Sequence, residues 1–323
     1  MKYRVLAILA VLAAVTALNT PDALAQQAKR PYRIGALHNA FAPNHPAVVG
    51  VQAGLKELGL EEGRDVTFDI RFTEGKLEVM PAVAADLVKV GVDLIMTTSE
   101  PATRASMAAT QKIPIVFTNV GDPVAAGLVR EIAHPGGNVT GVSSLSTELA
   151  PKRLEILKAL VPSLRRIWAI YSAEDVAHLP AIRQAQEAAP VLKLELIVRA
   201  VRTPEELSRA LKGLRPGDGL LAPGSPVLDI DGQIAELSTR VPSVFPAAFW
   251  VHHGVLVSYG PDYQAQGRQA ARLVAKIIQG AHPRDLPVEG ANKIELAINV
   301  KTAKALGLTI PQTLLLRADQ VVR

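Results

Sequence analysis

The chain has 323 residues, contains no cysteine and carries a formal net charge of +5 at neutral pH. The absence of cysteine excludes thiol catalysis and thiolate metal sites. Its 35 basic residues are scattered among 30 acidic ones rather than gathered into a stripe with aromatic residues, which argues against nucleic-acid binding. A chain of this length is expected to form two domains.

Residues 1–25 have the features of a secretory signal peptide. Lys2 and Arg4 precede an apolar run over residues 5–18, and a small-residue cleavage site of sequence Ala-Leu-Ala ends at Ala25. The apolar run is shorter than the ~20 residues that a membrane-spanning helix needs. No cysteine stands at the cleavage site to carry a lipid. The sequence therefore predicts export to the periplasm as a soluble protein that is not a lipoprotein.

Short apolar strands alternate with amphipathic helices along the rest of the chain. The first part predicts strands at 33–37, 66–72, 92–96, 113–118 and 139–142, and helices at 46–58, 78–90, 102–110 and 123–132. After a break near 145–150, the second part predicts helices at 150–160, 177–189, 204–214, 230–238 and 263–279, and strands at 166–171, 194–201, 219–222, 243–245 and 255–259. The end predicts a linker at 280–290, a strand at 294–299, a helix at 302–306 and an apolar tail at 314–322 that packs back onto a lobe.

Continuous β-branched strands separated by helices are typical of parallel sheets that are covered on both faces. Two such runs predict an α/β fold with two doubly wound, Rossmann-like lobes and a ligand cleft between them. In open sheets of this kind, ligands bind beside the carboxyl ends of the strands. The loops at those ends are therefore the predicted site.

Strand-end loops of the first lobe contain seven candidate ligand-binding residues: Asn39, Phe41, Thr97, Thr98, Ser99, Asn119 and Asp122. Ser99 or Glu100 is placed to cap the helix that Pro101 begins, and Asp122 to cap the helix that Pro123 begins. A helix N-terminus could hold a ligand carboxylate. Asp122 could instead pair with a ligand ammonium group, so capping and ligand contact remain alternatives for this residue.

Corresponding loops of the second lobe contribute Tyr171, Ser172, Gly224, Ser225 and Phe249. Aromatic side chains at these positions could line a ligand pocket or pack in the core. His252 and His253 are predicted on a strand, where their side chains diverge, and no histidine pair has a metal-binding spacing. No nucleophile elbow, phosphate loop or dinucleotide fingerprint is present. The sequence therefore predicts no catalytic residues, no metal and no cofactor.

Five segments together carry a family signature: IPIVFTNVGDPVAAGLV at 113–129, HPGGNVTGV at 134–142, KRLEILK at 152–158, VSYGPD at 257–262 and IELAINVKTAKALGLTIP at 294–311. In this order they resemble the ABC transporter substrate-binding proteins, the group that includes tryptophan- and tyrosine-type transporters. The resemblance implies a type I periplasmic binding protein fold with three crossovers between lobes, near 145–148, 254–258 and 284–290. The implied lobes are 31–146 plus 257–285, and 147–256 plus 286–323.

The sequence departs from the family at His252-His253, where members tend to have a pair of glycines. Larger side chains there could alter a hinge or one wall of the cleft. This departure means that the ligand cannot be carried over from the family with the fold.

The function implied by the resemblance is that of the periplasmic component of an ABC importer. Such a protein binds a small organic ligand by hinge closure. The predicted helix N-termini and Asp122 suggest that this ligand is an amino acid or a related carboxylate, which could be aromatic. Its partners would be that ligand and an ABC permease in the inner membrane, with no nucleic acid. Two alternatives remain: a sensor that feeds a membrane receptor, and a secreted doubly wound enzyme.

Overall fold

The structure, a computed structural model, describes residues 30–40, 42–173, 176–222 and 240–323. Tyr32–Arg323 forms one compact unit whose strands belong to two sheets. The helices are α1 (Pro46–Glu57), α2 (Met80–Lys89), α3 (Glu100–Ala109), α4 (Ser146–Leu160), α5 (Leu179–Ala188), α6 (Pro204–Lys212), α7 (Phe249–His252), α8 (Tyr263–Ile278), α9 (Val300–Ala305) and α10 (Gln312–Leu315). The strands are β1 (Tyr32–His38), β2 (Val66–Phe72), β3 (Leu94–Thr97), β4 (Ile115–Val120), β5 (Val139–Ser143), β6 (Arg166–Ser172), β7 (Glu195–Val201), β8 (Asp218–Leu221), β9 (Ser243–Phe245), β10 (Val257–Pro261), β11 (Glu289–Gly290), β12 (Ile294–Asn299) and β13 (Gln320–Val322).

The first sheet has the order β11-β5-β4-β3-β1-β2, and all its pairs are parallel. Successive side chains of a strand point to opposite faces. Accordingly, Ala36 and Met96 pack in a cluster with residues of α1 and α8, whereas Leu37 and Ile95 pack in another with residues of α2 and α3. Both faces are apolar because both are covered by helices.

The second sheet has the order β13-β12-β10-β9-β8-β6-β7. Its pairs are parallel except for β10 and β12, which run antiparallel. The chain leaves this sheet at the end of β10 and returns from the first sheet to begin β12 at the same edge, so the two strands must run in opposite directions. The predicted α/β class with two doubly wound lobes is confirmed, with this one antiparallel pair added.

The sheet memberships place the lobe changes between β5 and α4, between β10 and α8, and between β11 and β12. Two strands therefore lie in a different sheet from the one that the predicted lobe ranges imply. Residues 257–261 belong to the second sheet, and residues 289–290 pair with β5 in the first. The segment 280–290, expected to be a linker, thus ends in a strand. Apart from these two strands, the predicted lobe ranges stay a prediction.

Helix α8 docks on α1 through glycines. A Cβ atom on Gly267 would lie 2.1 Å from the Ala47 carbonyl oxygen, and one on Gly50 would lie 2.2 Å from the Gln264 carbonyl oxygen. Both contacts are with backbone, which cannot move aside cheaply. The chain that enters the first lobe after β10 is therefore held there by a helix pair that requires glycine.

Three predicted elements differ from the structure or lie outside it. The helix predicted at 123–132 is wrong: the segment forms turns, because Gly127, at φ 66°, ends the first turn. His252 and His253 do not lie on a strand, since residues 249–252 form the short helix α7 and His253 follows its end. The helix predicted at 230–238 lies outside the described residues. The apolar tail does pack back, as Leu314 is buried and β13 pairs with β12.

Candidate functional site

Four polar side chains mark the carboxyl edge of the first sheet. His38 ends β1, Thr73 follows β2, Thr98 follows β3, and Asn119 is the penultimate residue of β4. These strands are consecutive neighbours in the order β4-β3-β1-β2, so the four residues form a line along one edge. We call them the polar row.

Each residue of the polar row has a buried polar atom without a hydrogen-bond partner. In the described part of the chain, these atoms are both ring nitrogens of His38, the hydroxyl oxygens of Thr73 and Thr98, and the side-chain oxygen of Asn119. His38, Thr73 and Thr98 are 0%, 4% and 3% exposed. An unsatisfied buried polar group costs about 1–3 kcal/mol. Four of them side by side make this edge the strongest candidate for contact with a ligand.

Backbone conformation also distinguishes Asn119. Its φ of 57° lies in the left-handed region, which asparagine tolerates better than most residues but which still strains the chain. The pairing of β4 with β5 shifts register between Phe117 and Val120, so Asn119 occupies an irregularity of the strand. Such irregularities re-aim a side chain and occur often at functional sites.

Thr97 and Thr98 are adjacent but have different environments. The Thr97 hydroxyl lies 2.7 Å from that of Thr103, which itself donates to the Ser99 carbonyl oxygen at 2.7 Å. Thr97 is therefore paired inside the protein against α3, whereas the Thr98 hydroxyl has no partner in the described residues. Of the two predicted site residues, the structure brings only Thr98 into the polar row.

Ser99 caps helix α3, as predicted. Its hydroxyl accepts a hydrogen bond from the Ala102 backbone N–H at 3.4 Å, with Pro101 in the first turn. Glu100 in that turn pairs with Arg104 at 2.7 Å, and the same guanidinium donates to the Ala126 carbonyl oxygen at 2.8 Å. These contacts fix the start of α3 beside the turn that follows β4.

Asp122 caps that turn instead of a helix. Its Oδ1 atom accepts hydrogen bonds from the backbone N–H groups of Val124 at 3.1 Å and Ala125 at 2.9 Å. Its Oδ2 atom has no partner within the described ranges. One oxygen is therefore structural, and the other is free for a cationic group.

The remaining candidates have few contacts or lie outside the described residues. The Asn39 carbonyl oxygen accepts a hydrogen bond from Gly75 N–H at 2.8 Å, which links the loops after β1 and β2, and its side chain is half-buried. Phe41, Gly224 and Ser225 lie outside the described residues.

The carboxyl edge of the second sheet carries the other predicted residues. Ser172, the last residue of β6, is buried, and Tyr171 before it is half-buried. Phe249 begins α7 soon after β9 and is 54% exposed. Its ring lies 4.2 Å from the His253 ring and 5.4 Å from the Trp250 ring. An aromatic side chain so exposed at a strand-end edge can cover a ligand.

His38 of the polar row belongs to a cluster of aromatic rings. The His38 ring stacks on Phe72 at 6.0 Å and lies 5.4 Å from the His45 ring, which in turn stacks on Tyr263 at 5.9 Å. Burial lowers the pKa of His38 to about 4, although the Pro43 backbone carbonyl acts in the opposite direction. Burial, with a smaller contribution from His38, lowers the pKa of His45 to about 3. Both imidazoles are therefore uncharged at neutral pH.

Arg153 lies where α4 and β10 meet near the lobe changes. It is 1% exposed, and burial lowers its pKa to about 10, so it stays charged at neutral pH. Its Nε donates to the Tyr259 carbonyl oxygen at 2.7 Å, and its Nη1 to the Ser146 carbonyl oxygen at 3.1 Å. This side chain thus joins the first connection between the lobes to the strand that leads into the second.

Two further contacts tie the connections together. Lys293, between β11 and β12, pairs with Asp262, between β10 and α8, at 2.7 Å. The Gln266 amide of α8 donates to the Val142 carbonyl oxygen at 3.0 Å. The three connections are therefore linked by side chains as well as by the sheets.

Across the described ranges, no three His, Cys, Asp or Glu side chains are grouped so as to hold a metal ion. Among the helices of those ranges, none combines the length and the apolar character that crossing a bilayer requires.

Sequence reasoning located this edge but missed two members of the polar row, His38 and Thr73. Both stand at the carboxyl end of a predicted strand, which was the available signal. Their lack of partners depends on neighbouring strands, and only the structure shows it.

Comparison with known proteins finds similarity to substrate-binding proteins. A family sequence profile described as "ABC transporter substrate binding protein" matches residues 43–322. A tyrosine-binding protein of Clostridioides difficile (strain R20291) is 29% identical over 277 residues, covering 82% of this chain and 78% of the relative.

Two solved structures share the fold across their whole length. A Streptococcus pneumonia ABC domain in complex with L-Trp is 27% identical, with a TM-score of 0.79 over 90% of this chain and 100% of that one. The ligand-free, open structure of a substrate-binding protein with adhesive properties from Clostridium difficile is 25% identical, with a TM-score of 0.66 over 90% of this chain and 99% of that one.

Proposed function

The chain belongs to the family of ABC transporter substrate-binding proteins, and on that premise we propose that it captures a free amino acid and delivers it to an ABC permease. The observation that carries the proposal is the polar row, whose buried atoms lack partners in the described residues. A bound ligand that donates and accepts hydrogen bonds at this edge would remove that cost.

The chemistry of the edge suits a zwitterion. The free Oδ2 atom of Asp122 can accept from an ammonium group, while the start of α3 beside Thr98 offers N–H and O–H donors to a carboxylate. Both ends of an amino acid would then be held on the first lobe. The exposed Phe249 ring of the second lobe would cover the side chain.

An aromatic side chain is favoured among amino acids. One relative is named for tyrosine binding, and a structural neighbour was solved with L-Trp. Phe72 at the edge of the first sheet and Phe249 at that of the second are both partly exposed, at 36% and 54%. Rings on two sides are a suitable enclosure for a third ring.

Binding would proceed by closure of the lobes about their three connections. At nearly equal sequence identity, this structure superposes better on the L-Trp complex than on the open, ligand-free protein, with TM-scores of 0.79 and 0.66. One neighbour solved with L-Trp and another described as open and ligand-free support a ligand-driven shift between two arrangements of this fold. A shift from 1:99 to 99:1 requires about 5.5 kcal/mol of differential binding energy.

Export and delivery complete the proposal. The signal peptide predicted over residues 1–25 would place the protein in the periplasm, and its membership of this family supports an ABC permease as the acceptor. The bound amino acid would leave unchanged, because the protein is proposed to carry its ligand without catalysis.

A ligand panel tests the proposal. Thermal shift and calorimetry with the common L-amino acids should give the largest stabilisation with L-tyrosine or L-tryptophan, and mass spectrometry should recover the ligand unmodified. Asn119→Gly keeps the left-handed backbone but removes the amide, so it should weaken binding by roughly fivefold or more while preserving the melting temperature within a few degrees. Absence of a shift with every amino acid, or chemical change of the ligand, would contradict the proposal.

A further inference from the structure

His38 differs from every other member of the polar row in having two polar atoms without partners. Its side chain is fully buried, and neither ring nitrogen makes a well-formed hydrogen bond in the described residues, although the Pro43 backbone carbonyl lies close enough to raise its pKa slightly against the effect of burial. A neutral imidazole always offers one donor and one acceptor. His38 therefore has the largest unused hydrogen-bonding capacity along this edge.

Its position is central. β1 lies between β3 and β2, so His38 has Thr98 on one side and Thr73 on the other. Backbone contacts hold both neighbours against β1: Thr73 N–H donates to the His38 carbonyl oxygen at 3.1 Å, and Thr98 N–H to the Leu37 carbonyl oxygen at 3.3 Å. A ligand that pairs with the two threonine hydroxyls would lie across His38.

His45 provides the internal contrast. It belongs to the same ring cluster and is half-buried and uncharged, but its Nδ1 accepts a hydrogen bond from Ala47 N–H at 3.1 Å and caps helix α1. Its nitrogen thus stabilises the fold directly. The two histidines share ring contacts and a lowered pKa, and differ in whether the protein itself uses their nitrogens.

We infer that His38 is a specificity-determining residue, which hydrogen-bonds the bound amino acid through an uncharged imidazole. The inference rests on the proposed function and adds a residue to it. The Phe72 ring, stacked at 6.0 Å and nearly parallel, fixes the orientation of the imidazole. Burial that keeps the imidazole neutral at physiological pH leaves it both a donor and an acceptor for the ligand.

Replacing His38 should therefore have opposite effects on the stability of the free protein and on its affinity for the ligand. Replacing an unsatisfied buried polar ring by an apolar ring removes a cost from the free protein. The same replacement removes a contact to the ligand. His38→Phe should therefore melt at the same or a higher temperature than the wild type, and bind L-tyrosine and L-tryptophan at least fivefold more weakly.

His45→Phe is the matched control, since it makes the same change within the same ring cluster. It should lower the melting temperature through loss of the helix cap and leave both dissociation constants within about twofold. Calorimetry of the full-length protein measures the two dissociation constants of each variant, and thermal unfolding measures its melting temperature. His38→Asn, which can still donate and accept, should recover part of the affinity lost in His38→Phe.

A measurement on the unmodified protein covers the case in which His38→Phe does not fold. In protein with ¹⁵N-labelled histidine, L-tyrosine should shift the ring nitrogen signals of His38 more than those of His45. The inference is overturned if His38→Phe binds like the wild type, if both phenylalanine variants lose affinity equally, or if the His38 signals do not respond. If the wild type binds neither amino acid, the proposed function fails first and the inference falls with it.

Discussion

Two buried polar regions of the molecule differ in how their groups are satisfied. At the amino edge of the second sheet, Asp218 accepts hydrogen bonds from the Arg166 guanidinium at 2.7 Å, the Trp168 indole at 3.0 Å and Arg215 N–H at 2.9 Å. Burial raises the pKa of Asp218, but these hydrogen bonds outweigh it and hold the pKa below its usual value. At the carboxyl edge of the first sheet, each side chain of the polar row has a buried polar atom without such a partner in the described residues.

The difference separates polar groups that hold the fold from polar groups that are candidates for contact with a ligand. A buried polar group that stabilises the fold is paired within the chain, because an unpaired one lowers stability. A buried polar group that stays unpaired is more often found where it has a functional contact to make. Substitutions in the two regions should therefore have opposite consequences, and three experiments examine this contrast.

The largest effect is expected from Asp218→Ala. It leaves the Arg166 guanidinium and the buried Trp168 N–H without their acceptor, so the free energy of unfolding should fall by about 3 kcal/mol. Urea denaturation at pH 7 measures the loss. As a control, Asp69→Ala breaks a pair with the exposed Arg71 and should cost less than about 1 kcal/mol. Equal losses in the two variants would show that the Asp218 network is not structural.

Acidification should produce the next largest effect, through His38 of the polar row and its neighbour His45. The pKa values of His38 and His45 are about 4 and about 3 in the folded protein, below the ordinary 6.5. Between these values the unfolded chain binds more protons, so stability is present above pH 6.5 and is lost as the pH falls. For His38 alone the loss from pH 7 to pH 4.5 is about 2 kcal/mol.

Urea unfolding of the ligand-free protein at pH 7, 5.5 and 4.5 measures this loss, and His38→Phe should remove its share. Asp218 does not contribute in this window, because a carboxylate with a lowered pKa loses its stabilising effect only near and below the ordinary value of 3.8. A loss between pH 7 and pH 4.5 that is equal in His38→Phe and in the wild type would contradict the neutral, buried state of His38.

The smallest effects are expected from adjacent threonines. Thr97→Val removes a hydroxyl paired with Thr103 and should lower stability by about 1 kcal/mol without changing ligand affinity. Thr98→Val removes an unpaired hydroxyl, so stability should stay level or rise slightly while binding of L-tryptophan weakens. Thermal unfolding and calorimetry on both variants decide the matter; the reverse pattern would mean that the two hydroxyls have been assigned the wrong roles.

The fold was largely predictable because its signals are local. Alternating strands and helices, with apolar strands long enough to be buried on both faces, led directly to two parallel-sheet lobes. The helix predicted at 123–132 failed for a local reason as well: Gly127 at φ 66° ends the turn that Asp122 caps. The strands at 257–261 and 289–290 were assigned to the other lobes because strand pairing across long separations leaves no mark in the sequence.

The candidate site was predictable in its location but not in its membership. Thr98 and Asn119 were identified from their place at strand ends, and so was Thr97, which the structure pairs with α3 instead. His38 and Thr73 were overlooked because their residue types occur in many roles. Partner geometry, rather than residue type, separates a ligand contact from a packed side chain.

The sequence by itself determined the alternation of elements, the caps at their ends and the edge at which polar residues collect, because each depends on neighbours a few positions away. The tertiary structure decided which buried polar atoms are paired. It pairs Gln266 with Val142 and Asp218 with Trp168, and leaves Thr98 and His38 unpaired within the described residues. Pairing is decided there because a hydrogen bond needs a distance and an angle, which residues far apart in the chain acquire only when the sheets and helices pack together.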